Sequence, residues 1–148
     1  IIRVPMKGQN IHQQKLDWPQ YFKTDADVPR FAYSFTVAAF LKADFVIANV
    51  PQASKIFSVL AAYGNDRVLN EVPSSALKGH PNAVAVLTEK SAEALCEIRE
   101  APGRGGAARL SPAMHRRLQA IWEQPDSPEA ERENVAAMDR VLKKLGLL

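Results

Sequence analysis

Two short apolar runs, residues 44–50 (DFVIANV) and residues 83–87 (AVAVL), constrain this chain more than any other feature. Both have strand length, and the first has the near-continuous, largely β-branched apolar character of a strand covered on both faces. Between the runs Ile56, Val59, Leu60 and Tyr63 fall at i, i+3, i+4 and i+7, the stripe of a helix that buries one side. Gly64-Asn65 is a good stop for that helix. A further helical pattern covers residues 91–98. Strands separated by helices of about ten residues pair in parallel through crossovers rather than as hairpins. The expected fold class is therefore α/β, with a mainly parallel sheet and crossover helices.

The flanking sequence extends this pattern. Residues 1–5 form a short apolar run closed by Pro5, and residues 7–24 are polar, reading as a short helix followed by a loop. Residues 31–35 are extended, and Thr36 precedes a helix-compatible stretch at residues 37–42. Pro73-Ser74-Ser75-Ala76-Leu77 reads as a short helix in which Pro73 sets the start and Ser74 bonds the backbone, and His80-Pro81 ends the turn. At residue 101 the composition shifts, and Pro102-Gly103-Arg104-Gly105-Gly106 is a flexible linker signal. Two helices follow, each announced by Ser-Pro, with Ser111 and Ser127 as caps and Pro112 and Pro128 at the first helical position. Met114, Leu118, Ile121 and Trp122 form one stripe, and Val135, Met138, Val141, Leu142 and Leu145 another. The expected organisation is an α/β unit over residues 1–100, a linker over 101–110 and an αα-hairpin over 111–148.

Composition excludes several classes. At 148 residues, 47% hydrophobic and 24% charged, the chain reads as one globular domain, and no apolar run approaches the ~18 residues of a membrane span. The net charge of +3 is too mild to imply nucleic acid by itself. Cys96 is the single cysteine, so an internal disulfide is impossible and a reducing compartment, cytoplasm or organellar matrix, fits best. The chain starts Ile1-Ile2-Arg3-Val4, directly in strand-like sequence without an initiator Met, as expected of a fragment, a processed product or an incompletely traced chain.

Strong local signatures of chemistry are absent: there is no Walker loop, no Gly-x-Gly-x-x-Gly, no His-Glu-x-x-His and no Gly-x-Ser-x-Gly. The 3 histidines, His12, His80 and His115, lie in separate segments without ligand spacing, so no metal and no cofactor is expected. Two segments carry more. Asn49-Val50-Pro51-Gln52-Ala53-Ser54-Lys55 leaves a strand and enters a helix, the place where open α/β sheets bind ligands, and a first-turn lysine there reaches a phosphate. The plainer alternative is a solvated lysine at a helix start. The second segment, residues 72–81, ends in His80-Pro81, for which the plainer alternative is a connecting turn with a satisfied histidine.

Taken together, four segments resemble, in order, the C-terminal half of the glucosamine-6-phosphate deaminase/isomerase family, which is related to the 6-phosphogluconolactonases. The resemblance runs over residues 1–95. Gln13-Gln14 followed by the aromatics at residues 18–22 resembles the family's glutamine-rich helix and aromatic corner. Residues 27–37 (DVPRFAYSFTV) resemble the stretch D-V-P-x-x-A-[IL]-[ST]-[ML]-T-[IV]. Residues 45–55 resemble a strand followed by V-P-x-x-x-K, and residues 73–81 resemble P-A-S-x-L-x-x-H-P. The resemblance implies a Rossmann-like sandwich. It implies conversion of an amino-sugar 6-phosphate to fructose 6-phosphate and ammonia, through ring opening and proton transfer by way of an enediol. It also implies Lys55 as the residue that contacts the substrate phosphate.

The departures are as informative. The family's Gly-rich phosphate loop, its proton-abstracting aspartate and its Asp-Gly-His signature are absent from these residues and would lie before Ile1. His12 stands where relatives usually carry an arginine, and Lys15 is the looser candidate for a further phosphate-side cation. No catalytic residue is therefore assigned, and the chain alone is expected to be inactive. The alternative is a non-catalytic subunit of a large assembly, such as an organellar ribosome or another multi-subunit complex. The hairpin motivates it: Leu118 and Trp122 on an apolar stripe are expected to meet a protein partner or a second copy. A weaker reading is RNA binding through Arg104, Arg109, Arg116 and Arg117, against which stands an ordinary solvated helix face. The expected partners are thus a sugar phosphate and a protein, with neither nucleic acid nor membrane.

Overall fold

A computed structural model describes residues 1–100, 109–121 and 128–148. Strand β1 (Ile2–Pro5) leads into helix α1 (Gly8–Asp17), and the chain returns as β2 (Phe31–Ser34). Helix α2 (Val37–Phe40) is short, and Thr36 caps it by accepting a hydrogen bond from the Ala39 N–H at 3.2 Å. Strand β3 (Val46–Val50) passes through a 3₁₀ turn (Ala53–Lys55) into α3 (Ile56–Tyr63). A second 3₁₀ segment (Pro73–Gly79) precedes β4 (Ala83–Leu87), α4 (Glu89–Glu100), α5 (Pro112–Ile121) and α6 (Pro128–Leu145).

The α/β class holds, and the sheets are small. Strands β3 and β4 pair in parallel with Val46 opposite Ala83 and Val50 opposite Leu87, joined through α3 as the spacing required. The other pair differs from the expected parallel arrangement. Strands β1 and β2 are antiparallel, with Ile2 opposite Ser34, because the loop at residues 18–30 after α1 brings the chain back in the opposite direction. Asp27 shapes that loop: its carboxylate accepts from the Lys23 and Thr24 N–H groups at 3.0 and 2.7 Å and from the Thr24 hydroxyl at 3.0 Å. These bonds hold its carboxyl below the usual aspartate value.

One hydrophobic core joins α3 and α4 to α5 and α6. It contains Ile56, Leu60 and Ala94 together with Leu118, Met138 and Leu142, all almost or fully buried. Leu110, assigned to the linker by composition, belongs to this core, and its N–H donates to the Leu147 carbonyl at 3.0 Å. Ser111 caps α5 as expected, accepting from the Met114 N–H at 3.1 Å. The glycine signal 102–106, Arg104 and the Ser127 cap lie outside the described residues. Helix α6 ends in a Schellman arrangement. Gly146, at φ 72°, donates to the Lys143 carbonyl, and Leu147 donates back to Leu142. Leu142 and Leu147 are both buried, so the apolar contact that accompanies this cap is available.

The hairpin result corrects one expectation. Leu118 is 1% exposed and packs into the chain's own core, so it does not present an apolar stripe to a partner. The amphipathic period of α5 is satisfied internally by α3, α4 and α6. Trp122 lies outside the described residues.

Candidate functional site

Both parallel strands end on the same side, at Val50 and Leu87, where α3 and α4 begin. That end is stitched together. The Thr88 hydroxyl donates to the Pro51 carbonyl at 2.9 Å, and Thr88 and Ser91 cap each other across the first turn of α4. The opposite end is also pinned: Asn82 Nδ2 donates to the Asp44 carbonyl at 3.0 Å, and His80 Nε2 bonds the Ala43 carbonyl at 2.8 Å. His80 Nδ1 accepts from the Asn82 N–H at 3.1 Å, so Nε2 is the donor toward Ala43. The plainer alternative for His80 is the one observed: both ring nitrogens hold backbone.

Lys55 closes the 3₁₀ turn after β3 and is half-buried at a cleft of about 180 Å³. The cleft runs between the carboxyl end of β3 (Ala48, Val50), one side of α3 (Ser58, Val59, Tyr63) and the 3₁₀ segment after it (Ser74, Leu77). Its walls are largely apolar, with an ammonium, two hydroxyls and a phenol as polar groups. Burial pushes the Tyr63 phenol up from its ordinary value, so it stays a neutral hydrogen-bond donor through the physiological range. Such a constellation suits one anionic group on a small organic body: a cation for charge, hydroxyls for orientation and apolar walls that weaken competition from water.

Lys78, the sixth residue of the 3₁₀ segment Pro73–Gly79, does different work. Its ammonium donates to the Asn65 and Arg67 carbonyls at 2.6 and 2.7 Å, clamping the loop after α3, and burial lowers its pKa. The hydroxyl that stabilises the 3₁₀ segment is that of Ser75, which accepts from the Leu69 N–H at 2.9 Å. Ser74, expected to bond the backbone there, lines the cleft instead. The side chains of adjacent residues in a tight 3₁₀ turn point in different directions, so a one-residue difference exchanges a structural hydroxyl for one at the site.

His12 and Lys15 sit on α1 and do not line the Lys55 cleft. Lys15 pairs with Asp25 at 2.6 Å, tying α1 to the following loop. Of the arginines considered for RNA, Arg117 pairs with Glu93 at 2.7 Å between α5 and α4, while Arg109 and Arg116 are exposed. Among the described residues no group of three or more His, Cys, Asp and Glu side chains is placed to hold a metal ion, and no helix is long and apolar enough to cross a membrane. Ser58 and Tyr63 were missed as site residues by sequence reasoning. Ser58 was accessible to it: a residue three after Lys55 on a helix shares its face.

No family model matches the chain. Comparison with curated proteins gives similarity to glucosamine-6-phosphate deaminases, three of which are described. That of Ligilactobacillus salivarius is 32% identical over 76 residues, which is 51% of this chain and 32% of the relative. That of Alkaliphilus metalliredigens is 33% identical over 81 residues, 55% of this chain and 33% of the relative. That of Staphylococcus epidermidis is 36% identical over 75 residues, 49% of this chain and 30% of the relative. The chain spans about a third of the length of the curated relatives it matches. Over about half of its own length, the chain is thus similar to part of glucosamine-6-phosphate deaminases.

Proposed function

We propose that this chain carries the phosphate side of an amino-sugar phosphate site of the glucosamine-6-phosphate deaminase kind. The observation that carries the reading is the position of Lys55 where β3 gives way to α3, at the mouth of the Ser58, Tyr63 and Ser74 cleft. In this reading the Lys55 ammonium holds the phosphate, and the hydroxyls orient its oxygens. Among the described residues that line the cleft there is no carboxylate or imidazole, the groups that would move a proton between the sugar's first two carbons. In this reading that base and the remaining phosphate contacts are supplied by polypeptide outside this cleft. His12 and Lys15 are second-rank candidates, because Lys15 has to leave Asp25 to reach a ligand. A reducing, cytoplasmic setting accords with the exposed Cys96 thiol.

The test is ligand binding with the complementing polypeptide present. Millimolar glucosamine 6-phosphate raises the melting temperature of the complex, and Lys55→Met removes most of that rise while Lys55→Arg retains part of it. No rise with any hexosamine or hexose phosphate defeats the reading. The second reading, a non-catalytic subunit of a large assembly, is favoured by the many exposed aromatic and aliphatic side chains between Phe31 and Ile47 rather than by the hairpin. It is tested by the composition of whatever complex the chain enters in its cell.

A further inference from the structure

We infer that the groove between α3 and α6 is a binding site for a small organic monocarboxylate, an acid group carried on an aliphatic or aromatic body. The groove shares no lining residue with the Lys55 cleft, and the inference does not depend on the reading proposed for that cleft. Its walls come from α3, from the loop after α3 and from α6, so it exists only because the C-terminal helix packs on the α/β unit.

The groove has a volume of about 320 Å³, at the small end of the range for ligand pockets. Phe57 of α3 and Met138 and Val141 of α6 form an apolar floor. Phe57 and Met138 are buried, and Val141 packs against the same core. Glu71, Arg140 and Lys144 are exposed and stand at the rim. An apolar floor beneath a charged rim suits a molecule with one ionised end and one hydrocarbon end.

The charges decide which ionised end. The Arg67 guanidinium donates to the Lys144 carbonyl at 2.7 Å and so is spent on the end of α6. The Lys144 ammonium bonds the Glu71 carboxylate, and that bond holds the Glu71 carboxyl below its usual range. Arg140 has no ion-pair partner among the described residues. It lies four residues before Lys144, so the two cations share one face of α6. A guanidinium whose fork of donors is unspent takes a carboxylate through two parallel hydrogen bonds.

One negative charge is therefore matched and a second is not. The Glu71 carboxylate and the negative end of the α6 dipole both oppose it. A phosphate monoester, which carries close to two charges at neutral pH, is the poorer fit. A neutral molecule of the same shape fills the floor and leaves Arg140 unused.

The experiment titrates the 148-residue chain with phenylbutyrate, followed by calorimetry and by amide chemical shifts, with phenylbutanol and inorganic phosphate as controls. Phenylbutyrate should bind saturably and one to one, with shift changes centred on residues 57, 71 and 137–144, and neither control should saturate over the same range. Arg140→Met should weaken binding about tenfold or more, the loss expected for a charge-assisted pair. Glu71→Gln should tighten it about threefold, because the opposing charge is gone and Lys144 is released to the ligand. Both side chains are exposed, so both variants should keep the far-ultraviolet spectrum of the parent. No saturation below about 5 mM, or equal affinity for the alcohol or for phosphate, overturns the proposal. So do shift changes centred on the Lys55 cleft, an affinity that Arg140→Met leaves in place, or weaker binding by Glu71→Gln.

Discussion

Replacing Leu118 by alanine separates the two roles that its stripe can serve. A leucine on a partner-facing surface costs the isolated chain almost nothing when truncated. A leucine at 1% exposure between α3, α4 and α6 costs the transfer of three carbons, each about 0.8 kcal/mol, plus a cavity term. The surroundings resist collapse, because Arg117 ties α5 to Glu93 on α4 and His115 ties it to Asp139 on α6 at 2.9 Å. We therefore expect Leu118→Ala to cost about 3 kcal/mol, in the lower half of the range for buried leucines. For a chain of this length that is a fall of about 6–12 °C in melting temperature. Circular dichroism melts of the two proteins, with urea titrations at fixed temperature, measure it. A fall of less than about 2 °C would refute the packing of the hairpin on the α/β core, since that is under 1 kcal/mol at this size.

Gly146→Ala should lower stability by about 1–2 kcal/mol, the cost of a Cβ in the left-handed region, and a urea midpoint unchanged from the parent would refute the Schellman cap. Asp27 contributes stability that is present above the ordinary aspartate value of 3.8 and lost as pH falls through its lower folded value, since its hydrogen bonds favour the charged form. In Asp27→Asn that part of the acid limb should vanish below the ordinary aspartate value while the neutral-pH spectrum is kept, and parallel acid limbs for the two proteins would contradict the assignment. His80→Ala should loosen the turn before β4 by leaving the Ala43 carbonyl without its ring partner, read as faster exchange at residues 82–84 and not as a change in ligand affinity.

Much of the local structure is legible in the sequence. The stripe from Ile56 to Tyr63, the apolar runs at 44–50 and 83–87, the Ser111 cap and the two C-terminal helices all reappear, because each rests on a periodicity or a cap that neighbouring residues decide. The position of Lys55 at a strand-to-helix transition is legible for the same reason. The backbone bond expected of Ser74 is made by Ser75, since local sequence does not say which of two adjacent hydroxyls a tight turn points at the backbone. The antiparallel β1–β2 pair was not legible either, because strand direction depends on where the loop at residues 18–30 leads the chain.

What the sequence determined by itself is therefore the set of elements, their apolar faces and the strand end that bears Lys55. What only the tertiary structure decided is what covers each face. The stripe of α5 turns inward onto α3, α4 and α6, and the outer face of β3 and β4, equally apolar, is left bare. The hydrophobic effect is non-directional. A pattern of apolar residues declares that a face is to be buried, and only the packed chain shows whether its own helices do the burying.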